Sequence, residues 1–108
     1  MKALTDATRQ RLPVGLVDAL RMQGTIAGRR GGWEEAEARL GRAVQLARQI
    51  TYPWGEARAL YESGLQFARR QDSERAGAQL RGASGIFQKL GAHPYQSRAD
   101  EAIAALRR

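Results

Sequence analysis

Side chains that could perform covalent or acid–base catalysis are few in this sequence. Cysteine is absent and His93 is the only histidine, beside a proline where we predict a solvated turn between helices. Ser84 lies in the segment GASG, which lacks the spacing of a nucleophile elbow. Glu34, Glu35 and Glu37 cluster, but the dipole of a helix stabilises acidic residues at its start. We therefore expect no enzymatic activity, no cofactor and no metal site.

Arginine is the abundant functional side chain, and it sets the charge of the molecule. The 108 residues include 18 Lys plus Arg against 11 Asp plus Glu, a formal charge of +7. Guanidinium groups bind carboxylates and phosphates through paired hydrogen bonds. The segment GRRGG is not a phosphate-binding loop, because it lacks the Lys-Ser/Thr ending and a preceding strand. Nucleic acid is a less favoured partner than protein, since no continuous basic stripe or row of stacking aromatics is evident.

The length and the distribution of apolar residues limit the class of protein. A chain of 108 residues forms one small domain. No apolar run approaches the ~18 residues needed to span a bilayer, and no hydrophobic stretch follows the first charged residue. We therefore expect a cytoplasmic protein without a signal peptide or membrane span.

The sequence repeats itself at a shift of 40 residues, a period that is typical of repeat architectures. The matched residues include Pro13 with Pro53, Gly15 with Gly55, Gly24 with Gly64, Leu40 with Leu80, and the pair Arg29 and Arg30 with Arg69 and Arg70. Each unit contains two helical patterns separated by turn signals, and we predict helices over about 14–30, 33–51, 54–70 and 74–90. Asp72 or Ser73 can cap the fourth helix, and Gly91 ends it.

Apolar stripes on the second helix of each unit predict how the helices pack. The stripes are Ala36, Leu40, Ala43, Ala47 and Ile50 in the first unit, and Ala76, Leu80, Ala83 and Phe87 in the second. Large aromatic residues fall at helix junctions, where we expect them to fill gaps: Trp33, Tyr52, Trp54 and Tyr95. The pattern predicts an all-α stack of antiparallel helical hairpins with five to six helices. Its parts are a half-repeat helix over 1–12, repeats over 13–52 and 53–92, and a C-terminal half-repeat helix over 93–108.

Each unit has a glycine late in its first helix, followed in its second helix by Ala, Leu and Ala spaced four and three apart. This pattern, over about residues 14–92, resembles the tetratricopeptide repeat. The period is 40 rather than the usual 34, and Leu20 or Leu60 stands where the family has tryptophan. The longer form, with strings such as IFQKLGAHPYQSRADEAIAAL, resembles sensor arrays of large bacterial ATPase-linked transcription activators. The resemblance implies a right-handed solenoid and a non-catalytic protein-interaction module of a bacterial regulatory protein.

The resemblance also implies that the first helices line a concave surface that meets the partner. Helical spacing then selects six candidate partner-binding residues: Arg21, Arg29, Arg58, Tyr61, Arg69 and Arg98. We expect Arg21, Arg58 and Arg98 to contact an acidic peptide segment and Tyr61 to anchor it. The family's two-carboxylate clamp uses Lys and Asn, which are not found at these positions, and the competing interpretation is a solvated charged face.

The two ends of the repeat array suggest a second kind of partner. Residues 1–12 align with the last half of a second helix, and residues 95–107 align with a first helix that lacks its partner. Because repeats are stabilised by stacking on their neighbours, unpaired halves expose apolar faces. Homodimerisation through the open ends is therefore the alternative to peptide binding.

Overall fold

The computed structural model describes the backbone of residues 2–107 and the side chains of residues 13–107. The predicted all-α class is confirmed, with five helices packed in sequence as adjacent antiparallel pairs. The helices are α1 (Lys2–Arg29), α2 (Trp33–Gln49), α3 (Pro53–Arg69), α4 (Ser73–Lys89) and α5 (His93–Ala105). In addition, α1 contacts α3, so the first helices of the two units lie side by side. No helix of the described chain combines the length and the apolar character needed to cross a membrane.

The four helices α1 to α4 all end in the same type of turn. Gly31, Thr51, Gln71 and Gly91 have positive φ angles of 81°, 53°, 61° and 70°, and they recur every twenty residues. At each turn the next residue donates its amide to the carbonyl five residues earlier, at 2.8–2.9 Å. This is the Schellman arrangement, in which a left-handed residue lets the chain reverse while the last carbonyls keep partners. The structural period is therefore one helix plus one turn, half of the period seen in the sequence.

The N-terminal helix is longer than the sequence predicts. Pro13 was expected to begin the first repeat after a separate half-repeat helix over 1–12, yet it lies inside α1. Proline removes one backbone hydrogen bond and bends a helix, but it does not supply the left-handed residue that reverses the chain. The 20-residue period would place another turn at Arg11, twenty residues before Gly31, but the helix continues through this position. The predicted packing of the 1–12 side chains as half of a second helix lies outside the described residues.

The core is built from the apolar stripes of the second helices. The buried members of the predicted stripes are Ala36, Leu40, Ala43 and Ala47 in α2, and Ala76, Leu80, Ala83 and Phe87 in α4. Ile50 is partly buried against the same cluster. Asp72 caps α4 by accepting the amide of Arg75 at 3.1 Å, as predicted.

Two glycines set the distance between the helices of each pair. A Cβ atom on Gly24 would lie 2.7 Å from Cγ of Leu40, and one on Gly64 would lie 2.5 Å from Cγ of Leu80. In both units the added Cβ atom would also lie 3.2 Å from a carbonyl oxygen of the second helix. The 40-residue repeat in sequence is thus a repeated close crossing of helices in space, and this crossing positions the first helices.

Candidate functional site

The predicted partner-binding residues lie on the first helices α1, α3 and α5. We call the set Asp18, Arg21, Thr25, Arg58, Tyr61, Leu65, Arg98 and Glu101 the first-helix surface. Because α3 and α5 begin 40 residues apart, and α1 and α3 end 40 residues apart, residues at that spacing occupy equivalent positions. Asp18, Arg58 and Arg98 form one row across the three helices, and Arg21, Tyr61 and Glu101 form the next. The surface therefore alternates arginines with acidic and aromatic side chains.

Aromatic rings hold two of the candidate arginines. Trp54 and Tyr95, in the first turns of α3 and α5, pack edge to face with centroids 4.8 Å apart. Both rings also pack on the buried Phe87, with centroids 5.7 Å and 5.4 Å away. The guanidinium carbon of Arg58 lies 5.8 Å from the centroids of both Trp54 and Tyr95, and that of Arg98 lies 5.2 Å from Tyr95. These distances allow cation–π attraction, which restricts the arginine side chains while leaving N–H groups for a ligand.

A hydrogen bond between Tyr52 and Asp18 fixes the neighbouring part of the surface. The phenol of Tyr52 donates to the Asp18 carboxylate at 3.3 Å and 3.5 Å across 34 residues of sequence. Burial raises the pKa of Tyr52, and the charge and hydrogen bond of Asp18 raise it further. The charges of Arg21 and Arg58 act in the opposite direction and lower this pKa. Asp18, Tyr52, Arg21 and Arg58 therefore share one electrostatic neighbourhood.

Two polar atoms of α1 are buried without a hydrogen-bond partner among the described residues. They are Nε of Arg21 and Oγ1 of Thr25, one helical turn apart on the first-helix surface. A buried polar group without a partner costs about 1–3 kcal/mol. Relief of this cost at Arg21 requires a hydrogen-bond acceptor that the described side chains do not supply.

The ion pairs of the described side chains involve a different set of arginines. Arg48 pairs with Glu56 at 2.7 Å, and Arg70 and Arg75 pair with Glu37 at 3.2 Å and 3.6 Å. Within residues 13–107, none of the six candidate partner-binding residues takes part in an ion pair. Arg29 and Arg69 are exposed as the last residues of α1 and α3, two turns beyond Arg21 and Tyr61.

The other side chains considered for chemistry have structural surroundings. Glu37 is exposed, as expected, and it also pairs with Arg70 at the end of α3 and with Arg75 of α4. Ser84 lies within α4 and donates to Asp100 of α5 at 2.6 Å. His93 is exposed and is the first residue of α5, rather than part of a turn. Among the described residues, no three acidic or histidine side chains come together as metal ligands do.

Two cavities lie away from the first-helix surface. One, of about 400 Å³, lies between α2, α3 and α4 and is lined by Val44, Leu60 and Phe67 among others. The second, of about 360 Å³, lies beside α1 and α2 and includes Ile26 and Glu35. None of the residues of the first-helix surface lines either of these two cavities.

Sequence reasoning did not find two features of this surface. The hydrogen bond from Tyr52 to Asp18 and the contacts of Trp54 and Tyr95 with the arginines both join residues far apart in sequence. The 40-residue repeat could have indicated the contacts of Trp54 and Tyr95 with the arginines, because it places Arg58 and Arg98 in one row. The predicted role of Trp54 and Tyr95 as junction-filling residues is confirmed by their packing on Phe87.

Comparison of the chain with protein-family models, with curated proteins and with solved structures finds no match. The function of the first-helix surface must therefore be inferred from its own geometry.

Proposed function

We propose that this chain is a non-catalytic protein-interaction module of the tetratricopeptide type, which binds an acidic protein segment along the first-helix surface. The observation that carries the proposal is the placement of Arg21, Arg58 and Arg98 on the first helices without ion-pair partners among the described side chains. The resemblance to bacterial sensor arrays leads us to propose a regulatory or signalling role for the complex.

Preorganisation of the arginines supports an anionic ligand. Arg58 and Arg98 stand against the rings of Trp54 and Tyr95, so less side-chain entropy is lost when a carboxylate binds. A guanidinium presents its N–H groups in a planar fork that matches both oxygens of a carboxylate. Tyr61 is half-buried against the core cluster and offers an apolar contact between the charged positions.

The same contacts favour protein over nucleic acid. Binding of single strands without sequence preference depends on open aromatic faces on which bases stack. Trp54 and Tyr95 are occupied by one another, by Phe87 and by the arginines. The remaining charge would attract a polyanion only weakly and with a strong dependence on salt.

The test is a calorimetric titration of the full chain with a synthetic peptide of alternating glutamate and leucine. Hydrogen bonds to charged groups contribute about 1.5–3 kcal/mol, so Arg58→Gln with Arg98→Gln should weaken binding by about a hundredfold. The matched control is Arg42→Gln with Arg81→Gln, which removes the same charge from exposed positions of α2 and α4.

Each outcome decides between the interpretations. A control that binds like the unsubstituted chain, beside a first-helix variant that binds about a hundredfold more weakly, supports the proposal. Equal loss in both variants indicates a general effect of net charge and contradicts it. Tighter binding of a single-stranded oligonucleotide than of the peptide would indicate nucleic acid as the ligand.

A further inference from the structure

Asp18 differs in charge from the other members of its row on the first-helix surface. The residues at the same place in α3 and α5 are Arg58 and Arg98. Asp18 also lies three residues before Arg21 on α1, and side chains at this spacing are neighbours on the surface of a helix. It is therefore the carboxylate that α1 itself offers to the Arg21 guanidinium.

Arg21 does not form this ion pair. Among the side chains of residues 13–107, no ion pair includes either Asp18 or Arg21. The Nε atom of Arg21 is buried and has no hydrogen-bond partner in this part of the chain. Because a buried donor without an acceptor destabilises the fold, the missing pair needs a structural cause.

The Asp18 carboxylate is bound to Tyr52 instead. The Tyr52 phenol donates to its two oxygens at 3.3 Å and 3.5 Å. The charges of Arg21 and Arg58 both lower the pKa of Tyr52, so both guanidinium groups lie near this phenol. The carboxylate is thus close to two arginines and forms an ion pair with neither.

Packing fixes the ring that carries this phenol. Tyr52 directly precedes the first residue of α3, and its ring lies against Gly55. A Cβ atom on Gly55 would lie 2.5 Å from Cδ2 and Cε2 of Tyr52, and 2.9 Å from Cγ1 of Val17. Val17 is fully buried and precedes Asp18 in α1. Because the ring is packed between α1 and α3, its hydroxyl group stays beside Asp18.

The repeat supplies an internal comparison for this contact. Forty residues after Asp18 and Tyr52 stand Arg58 and Ala92, and Ala92 directly precedes α5 as Tyr52 precedes α3. The start of α5 therefore lacks both the phenol and the carboxylate, whereas the start of α3 has both. The row contains an acidic residue only where a phenol lies beside it.

From these contacts we infer that Tyr52 is a positioning residue, which holds Asp18 away from Arg21 and keeps the Arg21 guanidinium free for a carboxylate of the bound segment. This role rests on the proposed binding of an acidic segment at the first-helix surface. Without the phenol, the Asp18 carboxylate pairs with Arg21, the cation that helical spacing places next to it. That internal pair then competes with the ligand for the same N–H groups.

The substitution Tyr52→Phe tests this role, because it removes the hydroxyl group and keeps the ring that packs on Gly55. In a calorimetric titration with the glutamate–leucine peptide, binding should weaken about three- to fivefold, since the ligand must displace an ion pair of ordinary surface strength. Tyr52→Phe with Asp18→Ala should bind at least as tightly as the unsubstituted chain, because the competing carboxylate is gone.

The matched control is Tyr52→Phe with Glu74→Ala, which removes the same negative charge from an exposed position of α4. It should bind as weakly as Tyr52→Phe alone. Equal recovery in this control would show an effect of net charge and overturn the inference. A Tyr52→Phe chain that binds like the unsubstituted one also overturns it, as does a variant with Asp18→Ala that stays weak, which is the result of a merely structural hydroxyl group.

The nitrogen-15 NMR signal of Arg21 Nε–H, measured without peptide, separates this role from the proposed function. The signal should move on Tyr52→Phe, as the buried donor gains Asp18 as its acceptor, and return when Asp18→Ala is added. An unmoved signal, or an equal change in both variants, overturns the inference whether or not the peptide binds. Absence of peptide binding to the unsubstituted chain, together with the expected NMR response, would contradict the proposed function alone.

Discussion

Replacing Gly64 with alanine tests the close crossing on which the repeat depends. The new Cβ atom would lie 2.5 Å from Cγ and 2.8 Å from Cδ2 of Leu80, and 3.2 Å from the carbonyl oxygen of Ala76. Leu80 is fully buried and the carbonyl belongs to a helix backbone, so α3 and α4 must move apart. Overpacking of this kind costs about 1–3 kcal/mol, and contact with both a side chain and the backbone indicates the upper part of that range.

The intrinsic preference for helix acts in the opposite direction and must be subtracted. Alanine is about 1 kcal/mol better than glycine in a helix interior, so the net expected loss of unfolding free energy is about 2 kcal/mol. Gly85→Ala in α4 is the matched control, because a Cβ there meets nothing within 4 Å. It should stabilise the fold by about 0.5–1 kcal/mol.

Urea unfolding followed by circular dichroism at low protein concentration measures both variants. The two should differ by about 3 kcal/mol, with equal dependence on urea concentration. Truncating Leu80 to alanine in the Gly64→Ala background should cost less than it does alone, since the two side chains compete for one space. A Gly64→Ala chain as stable as Gly85→Ala would refute the reasoning.

Three further predictions concern the turns, the surface and the salt dependence. Thr51→Gly should stabilise the fold by about 1 kcal/mol in thermal unfolding, because a β-branched residue is strained at positive φ, whereas Gly31→Ala should destabilise it by a similar amount. In an NMR titration, the pKa of Tyr52 should lie above its ordinary 10.0, so folding stability should fall as the pH rises from about 10 through the folded-state pKa. Asp18→Asn should lower the Tyr52 pKa without abolishing the shift, because burial is its largest cause. Added salt should weaken binding of the acidic peptide, because screening reduces the attraction between the arginines and the carboxylates; an affinity that does not change with salt would contradict binding through these arginines.

The helices and their buried stripes could be predicted because local residue types encode them. Matched glycines and alanines at a fixed shift indicated stacked hairpins, and Asp72 and Gly91 indicated helix ends. The 20-residue period was hidden because two of its four turns use Thr51 and Gln71 instead of glycine at positive φ. Nothing in their residue types predicts that conformation, which the packing of adjacent helices imposes.

The helices that carry the candidate residues could be predicted from the sequence, whereas the contacts of these residues could not. The resemblance to the tetratricopeptide repeat indicated the first helices as the binding surface, and helical spacing then selected Arg21, Arg58 and Arg98 on them. The spacing of residues along single helices could not show that Arg58 lies against rings from two helices, or that Gln66 is buried with its amide on a carbonyl of α1. Such contacts depend on the distance and rotation between helices, which are fixed by side-chain packing across the whole stack.

The most direct test of the proposed function is a nitrogen-15 NMR titration of the chain with the glutamate–leucine peptide, followed at the arginine side-chain N–H groups as well as the backbone. We expect shift changes at Arg21, Arg58, Tyr61 and Arg98, with the Nε–H signal of Arg21 moving as its buried donor gains an acceptor. Signals of exposed residues on α2 and α4 should stay in place. Changes confined to α2 and α4, or spread evenly over all arginines, would contradict binding at the first-helix surface.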